Sequence, residues 1–204
     1  MEEKDWLGKA HRAMSLGKHE DALAAYEGAL SINPGNVKSW ELKGDIFYEL
    51  GRHAEAIESY DRALEIEPEN LLILYKKGYT YRKNKLFEEA IQTFDQALAI
   101  DPNFSYAVND RGFALNELGR HEEAIKSFNH SLAMNPRNIR VLANKGIALR
   151  ELGRYEEALD CFEKALEYNA MNAFVYYNKS ITLRMMGRMK EADECLKRIN
   201  YPLK

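Results

Sequence analysis

The segment DRGFALNELGRHEEAIKSFNHSL, Asp110 to Leu132, returns one period later as NKGIALRELGRYEEALDCFEKAL, Asn144 to Leu166. A fixed period of 34 residues is the strongest constraint the chain carries. A repeat array grows along one axis and buries no single central core. With frames opening at Glu3, Val37, Leu71, Ser105, Ile139 and Ala173, six copies fit without an insertion. The repeats are 3–36, 37–70, 71–104, 105–138, 139–172 and 173–204, which makes 1–204 a single array. A length of 204 residues would otherwise permit one large globular domain or two small ones.

Each frame carries the same small and large side chains at the same places. Position 8 reads Ala10, Gly44, Gly78, Gly112, Gly146 and Ser180; position 20 is alanine throughout, from Ala22 to Ala192. Position 24 reads Tyr26, Tyr60, Phe94, Phe128, Phe162 and Leu196, and position 27 reads Ala29, Ala63, Ala97, Ser131, Ala165 and Ile199. Positions 4, 8 and 11, and again 20, 24 and 27, keep the i, i+4, i+7 spacing of one helical face. Between the two faces stands Gly17, Gly51, Gly119, Gly153 or Gly187, suited to the left-handed conformation that ends a helix. Pro34, Pro68, Pro102 and Pro136 follow the second face and stop it. Each repeat is therefore two antiparallel helices joined by a tight turn, with small residues admitting close approach and the aromatic filling the remaining volume. Lys85 replaces the turn glycine in the third repeat, where it makes the turn less comfortable by up to about 1 kcal/mol. Ala170 replaces the proline in the fifth, and the sixth stops short at RINYPLK.

The pattern W/L–x3–G/A–x2–Y/L … A–x3–F/Y–x2–A–x4–P at this period resembles the tetratricopeptide repeat, over essentially the whole chain. The resemblance implies an all-α fold, a right-handed superhelical solenoid of six stacked helix-turn-helix hairpins whose first helices line a concave groove. It also implies a non-catalytic scaffold that binds a peptide or partner protein there. Pentatricopeptide repeats run 35 residues and are basic, and this chain has neither feature. An assembly module acting through the edges or convex surface is the alternative.

Charge separates these functions from others. Charged residues make up 30% of the chain with a net charge of -3, which gives no general pull toward nucleic acid or anionic lipid. No stretch reaches the ~20 apolar residues of a membrane span, and MEEKDWLGKAHRAM lacks a signal-peptide core. The cytoplasm is the expected compartment. Cys161 and Cys195 stand one period apart, where helix-to-helix spacing of roughly 8–10 Å exceeds the reach of a disulfide; free thiols are expected. Ala25, Ser59, Thr93 and Ser127 hold the same position, so small size is the requirement. His19, His53 and His121 share one frame position, and stacked copies point in parallel instead of converging on a metal. The EEA carboxylates sit at helix starts, where negative charge is favoured. No phosphate loop or nucleophile motif appears, so neither catalysis, a metal nor a cofactor is expected.

Second-helix positions 21 and 28, apolar from Leu23/Leu30 to Leu159/Leu166, become Asp193 and Asn200 in the sixth repeat. First-helix positions 3 and 10 become Asp5 and Arg12 in the first. Polar ends of this kind predict a self-capped, free-standing monomer. Position 7 is basic in all six repeats (Lys9, Lys43, Lys77, Arg111, Lys145, Lys179), and position 25 is acidic in four (Glu27, Asp61, Asp95, Glu163). An ion pair repeated along the stack is the expected role of these lysines, in preference to an anion-binding ladder.

In the resembling family, first-helix positions 2, 5, 6, 9, 12 and 13 face the groove. The candidates there are Tyr75, Lys76, Tyr79 and Arg82 in the third repeat, and Tyr106 and Asn109 in the fourth. Arg140, Asn144 and Arg150 follow in the fifth, then Tyr177, Asn178 and Arg184 in the sixth. Asn144 and Asn178 occupy the place where some members hold a peptide backbone, a task suited to an amide that donates and accepts at once. Aromatic residues beside basic ones favour a peptide with acidic and apolar side chains. The family's carboxylate clamp for chaperone tails has no three consecutive repeats to supply it.

Overall fold

The computed structural model describes residues 2–200, the side chain of Asn200 excepted. Expectations placed on that side chain and on the tail 201–204 lie outside the described residues. Among those described, regular secondary structure is helical, with no strand. The chain divides into two compact units, Met1–Pro102 and Asn103–Lys204. The first contains α1 (Glu3–Ser15), α2 (His19–Ile32), α3 (Val37–Glu49), α4 (His53–Ile66), α5 (Leu71–Lys83) and α6 (Phe87–Ile100). The second contains α7 (Ser105–Glu117), α8 (His121–Met134), α9 (Ile139–Glu151), α10 (Tyr155–Tyr168), α11 (Ala173–Met185) and α12 (Met189–Asn200).

Both units follow one plan. Consecutive helices pair as hairpins, α1 with α2, α3 with α4 and α5 with α6, and each second helix also packs on the next first helix within its unit. The second unit repeats this with α7/α8, α9/α10 and α11/α12. Inside each interior hairpin the aromatic of the second helix is buried beneath the glycine of the first, as Phe162 lies beneath Gly146. A Cβ on Gly146 would stand 2.6 Å from the Phe162 Cε1 atom, so this pair of helices is as close as a hydrogen side chain permits. The alanines at position 20 are fully buried in all six hairpins.

The turns obey their own chemistry. α1 ends with the Gly17 amide donating to Met14 and the Lys18 amide donating to Ala13, while Gly17 takes φ +67°. Lys85 adopts the same left-handed region at φ 61°, with the Leu86 amide donating to the Tyr81 carbonyl. That conformation penalises a β-carbon by ~1–2 kcal/mol, offset by the extra freedom glycine has when unfolded, ~0.4–1 kcal/mol. Lys85→Gly is therefore expected to stabilise the protein by about 0.5–1 kcal/mol, read as a rise of ~2 °C in melting temperature. The first helices of four hairpins are capped by asparagine. The side chains of Asn36, Asn70, Asn138 and Asn172 accept from the amides of Ser39, Ile73, Val141 and Val175. Asparagine at a helix start satisfies an otherwise unpaired amide.

Three of the lysines at position 7 tie neighbouring hairpins together. Lys43 Nζ lies 2.9 Å from Glu27, Lys77 Nζ 2.5 Å from Asp61, and Lys179 Nζ 2.9 Å from Glu163. Each reaches from a first helix to the second helix of the preceding hairpin, never across its own. The carboxylates are largely exposed, so each pair contributes about 0–1 kcal/mol. Cys161 and Cys195 are free and buried. Burial pushes both thiols up from their ordinary pKa.

Candidate functional site

In the first unit, α3 and α5 lie side by side, and their facing residues are charged. Lys76 Nζ sits 2.5 Å from Glu41 Oε1 and 2.7 Å from Asp45 Oδ2, while Lys38 donates to Glu41 Oε2 at 2.7 Å. The Tyr60 hydroxyl donates to Asp45 Oδ1 at 2.9 Å, which continues the network into α4. Glu41 is only 6% exposed. Burial alone would raise its carboxyl pKa, but the hydrogen bonds and charges of Lys38 and Lys76 hold it below the usual carboxylate range. Burial likewise works against the charge on Lys76, and Asp45 and Glu41 overcome it, leaving the ammonium pKa above its ordinary value. Burial, then the charge of Asp45, pushes the Tyr60 phenol far up.

Beside this network lies an aromatic cluster. The Tyr79 ring centroid is 5.8 Å from that of Tyr75 and 5.9 Å from that of Tyr48, and the Arg82 guanidinium covers Tyr79 at 4.6 Å. The structure thus brings Tyr75, Lys76, Tyr79 and Arg82 onto one stretch of α5. The Lys76 charge is already met by two carboxylates, so its evident task there is to bind α5 to α3.

In the second unit the first helices α7, α9 and α11 adjoin one another. Tyr106 on α7 and Tyr177 on α11 are 60% and 54% exposed. Arg140, at the start of α9, is exposed. Asn144 is half-buried on the same helix, and its amide makes no side-chain hydrogen bond among the described residues. Arg150 Nη1 donates to Asn178 Oδ1 at 3.1 Å, joining α9 to α11, while its Nη2 reaches Glu151 at 2.9 Å. The Asn178 Nδ2 atom donates to the Phe174 carbonyl at 2.9 Å, and the side chain is buried. Both halves of that amide are therefore engaged within the protein. Asn109 is also buried, its Oδ1 accepting from the Ser131 hydroxyl of α8. Arg184 lies 3.3 Å from Asp193 of α12. Two exposed apolar residues of α11 stand outside the predicted site, Phe174 at 53% and Met185 at 51%. Their frame positions, 2 and 13, were the available sign.

The shared chemistry of the six hairpins matches known sequences. A family profile described as Tetratricopeptide repeat matches residues 7–71 and 143–198, which is more than half of the chain. The chain belongs to the tetratricopeptide-repeat family. Two further profiles of the same description match residues 103–170 and 47–109. No curated protein matches the chain. Solved structures agree with the assignment at the level of fold. A tetratricopeptide repeat protein from Parabacteroides merdae is 21% identical with a TM-score of 0.87, covering 97% of this chain and 78% of that one. MamA protein is 23% identical with a TM-score of 0.77, covering 84% and 93%. MamA from Desulfovibrio magneticus is 18% identical with a TM-score of 0.76, covering 80% and 92%.

Tetratricopeptide-repeat proteins are generally non-catalytic scaffolds for protein–protein interaction. Among the described residues, no helix is long and apolar enough to cross a membrane, and no group of three or more His, Cys, Asp or Glu could hold a metal ion.

Proposed function

We propose that this tetratricopeptide-repeat chain holds an extended partner segment against the first-helix face of its second unit, formed by α7, α9 and α11. The observation that carries the reading is the exposure of Tyr106, Phe174 and Tyr177 on first helices that bury Val108, Val141, Leu149 and Leu183. Amphipathic aromatics of this kind, with arginine nearby, form the energetic centres of protein interfaces. Arg140 supplies positive charge to the same helices, and the Asn144 amide can meet a peptide backbone as donor and acceptor. A segment with acidic and apolar side chains fits this chemistry; nucleic acid and membrane do not.

The test is affinity capture of a partner, followed by titration of its binding segment against Tyr177→Ala and Asn144→Ala. Each substitution is expected to weaken binding by ~tenfold, with melting temperature unchanged within about 2 °C. Asn178 is not a useful probe, because removing its amide unseats Arg150. Unchanged affinity in both variants rejects the first-helix face as the binding surface.

A further inference from the structure

Three junctions between successive hairpins follow one rule. The position-7 lysine of a first helix takes a carboxylate from the second helix before it, as Lys43 takes Glu27, Lys77 takes Asp61 and Lys179 takes Glu163. These lysine side chains are only 14%, 18% and 19% exposed, so each ammonium has given up much of its water. The junction of α8 with α9 keeps the seat and lacks the acid. Lys145 stands at position 7 of α9, half-buried, and the matching residue of α8 is Asn129. Asn129 has the shape of Asp61 without its charge, and Lys145 makes no hydrogen bond or ion pair among the described residues. An ammonium held partly out of water without a counter-charge is an unfavourable arrangement, which an incoming carboxylate relieves.

The charge around Lys145 is predominantly positive. Lys126 lies one turn before Asn129 on α8, and Lys164 lies one turn after Cys161 on α10, so each shares a helix face with its neighbour. Both lysines are exposed and make no ion pair among the described residues. Burial raises the pKa of the Cys161 thiol, and the charges of Lys145 and then Lys164 oppose that rise, so both ammonium groups act on one spot of α10. Nearby carboxylates are largely occupied. Glu157 is held by Arg154 at 2.7 Å, and Glu123 by Arg120 at 2.7 Å. Asp160, exposed on α10, leaves an open carboxylate against three ammonium groups.

We propose that this second-helix surface, formed by α8 and α10 with Lys145 of α9 between them, docks an acidic segment of a partner protein. One carboxylate seats on Lys145 as Glu163 does on Lys179, and its neighbours meet Lys126 and Lys164. The template for the ligand lies in the chain itself, since each of the three filled seats holds a carboxylate. A nucleic-acid backbone fits less well. Glu122, Glu123, Glu156 and Glu157 line the starts of the same two helices and would repel a continuous run of phosphates. The surface is separate from the first-helix face of the second unit, and neither reading depends on the other.

The probe is a labelled peptide of about eight glutamates, titrated against the full-length protein at low ionic strength, where exposed charge pairs are least screened. Binding is expected, and Lys145→Gln is expected to weaken it by ~fivefold, the upper end for a partly exposed ion pair. Asn129→Asp, which fills the seat from within, should weaken it at least as much. Lys179→Gln, whose seat Glu163 already fills, and Tyr177→Ala, on the first-helix face, should each change it by less than ~twofold. The melting temperature of every variant should stay within about 2 °C of wild type, which separates lost binding from lost fold. No binding up to millimolar peptide, equal affinity for wild type and Lys145→Gln, or undiminished affinity for Asn129→Asp overturns the proposal. A labelled oligonucleotide of the same charge that binds more tightly, and suffers the same loss in Lys145→Gln, overturns the acidic segment in favour of nucleic acid. Self-association that Lys145→Gln abolishes overturns the foreign partner in favour of a second copy.

Discussion

Truncating Phe162 to alanine is expected to destabilise the second unit by about 3–5 kcal/mol, the range for deleting a fully buried aromatic ring. The ring is wholly buried between α9 and α10 and rests beneath Gly146. Neither helix can collapse far into the vacated space, since α10 is also held against α11. Urea denaturation monitored by helical circular dichroism measures the loss. The glycine supplies a second, sharper reading of the same contact. In the wild-type protein, Gly146→Ala drives a Cβ to 2.6 Å from the Phe162 ring, so the ~1 kcal/mol gain in helix propensity is overridden by overpacking of ~1–3 kcal/mol. In the Phe162→Ala protein the obstruction is gone, and Gly146→Ala should become stabilising by ~1 kcal/mol. A sign reversal of this kind is a coupling between two residues in contact. If Gly146→Ala has the same effect in both backgrounds, the ring and the glycine do not determine the helix spacing.

This contact was legible in the sequence because it is local. Position 8 and position 24 lie in one hairpin, on either side of its turn, and four of the six repeats set glycine against tyrosine or phenylalanine there. The turn glycines and the helix starts were legible for the same reason. The role of Lys76 was not. Its partners, Glu41 and Asp45, belong to the preceding repeat, and the three meet only once α3 and α5 lie in register. Read on its own helix, Lys76 is a basic residue on an open face; in the fold it neutralises two acids, one of them buried. Asn178 shows the same limit. Its frame position marks it as a peptide-holding amide, yet its oxygen accepts from Arg150 of the preceding first helix and its nitrogen donates to its own helix. Frame position assigns a face, whereas the partner on the adjacent hairpin decides whether the group is available. The lysine ladder illustrates the intermediate case. Alternation of basic position 7 with acidic position 25 revealed a pairing, and only the stacking showed that it joins successive hairpins.

Replacing Lys76 with methionine is expected to destabilise the first unit by about 2–3 kcal/mol at pH 7, because Glu41 is left buried with Lys38 alone. The figure lies below the ~3–5 kcal/mol for breaking a fully buried pair, since Lys76 keeps contact with solvent and one cation remains. The pH dependence identifies the cause. Glu41 has a folded pKa below its unfolded value, so its pairing contributes stability above the unfolded value and loses it as the pH falls through the folded one. Lys76 has a folded pKa above its unfolded value, so its contribution is complete below that unfolded value and disappears as the pH rises through the folded one. Without Lys76, burial acts on Glu41 with less opposition, and its pKa shifts upward. The difference in stability between wild type and Lys76→Met should therefore be widest between about pH 6 and 9, and should shrink below about pH 4 as Glu41 takes up its proton. Denaturant titrations across that range measure it directly. A difference that persists undiminished at pH 3 would assign the loss to packing of the lysine stem, with the carboxylates as bystanders.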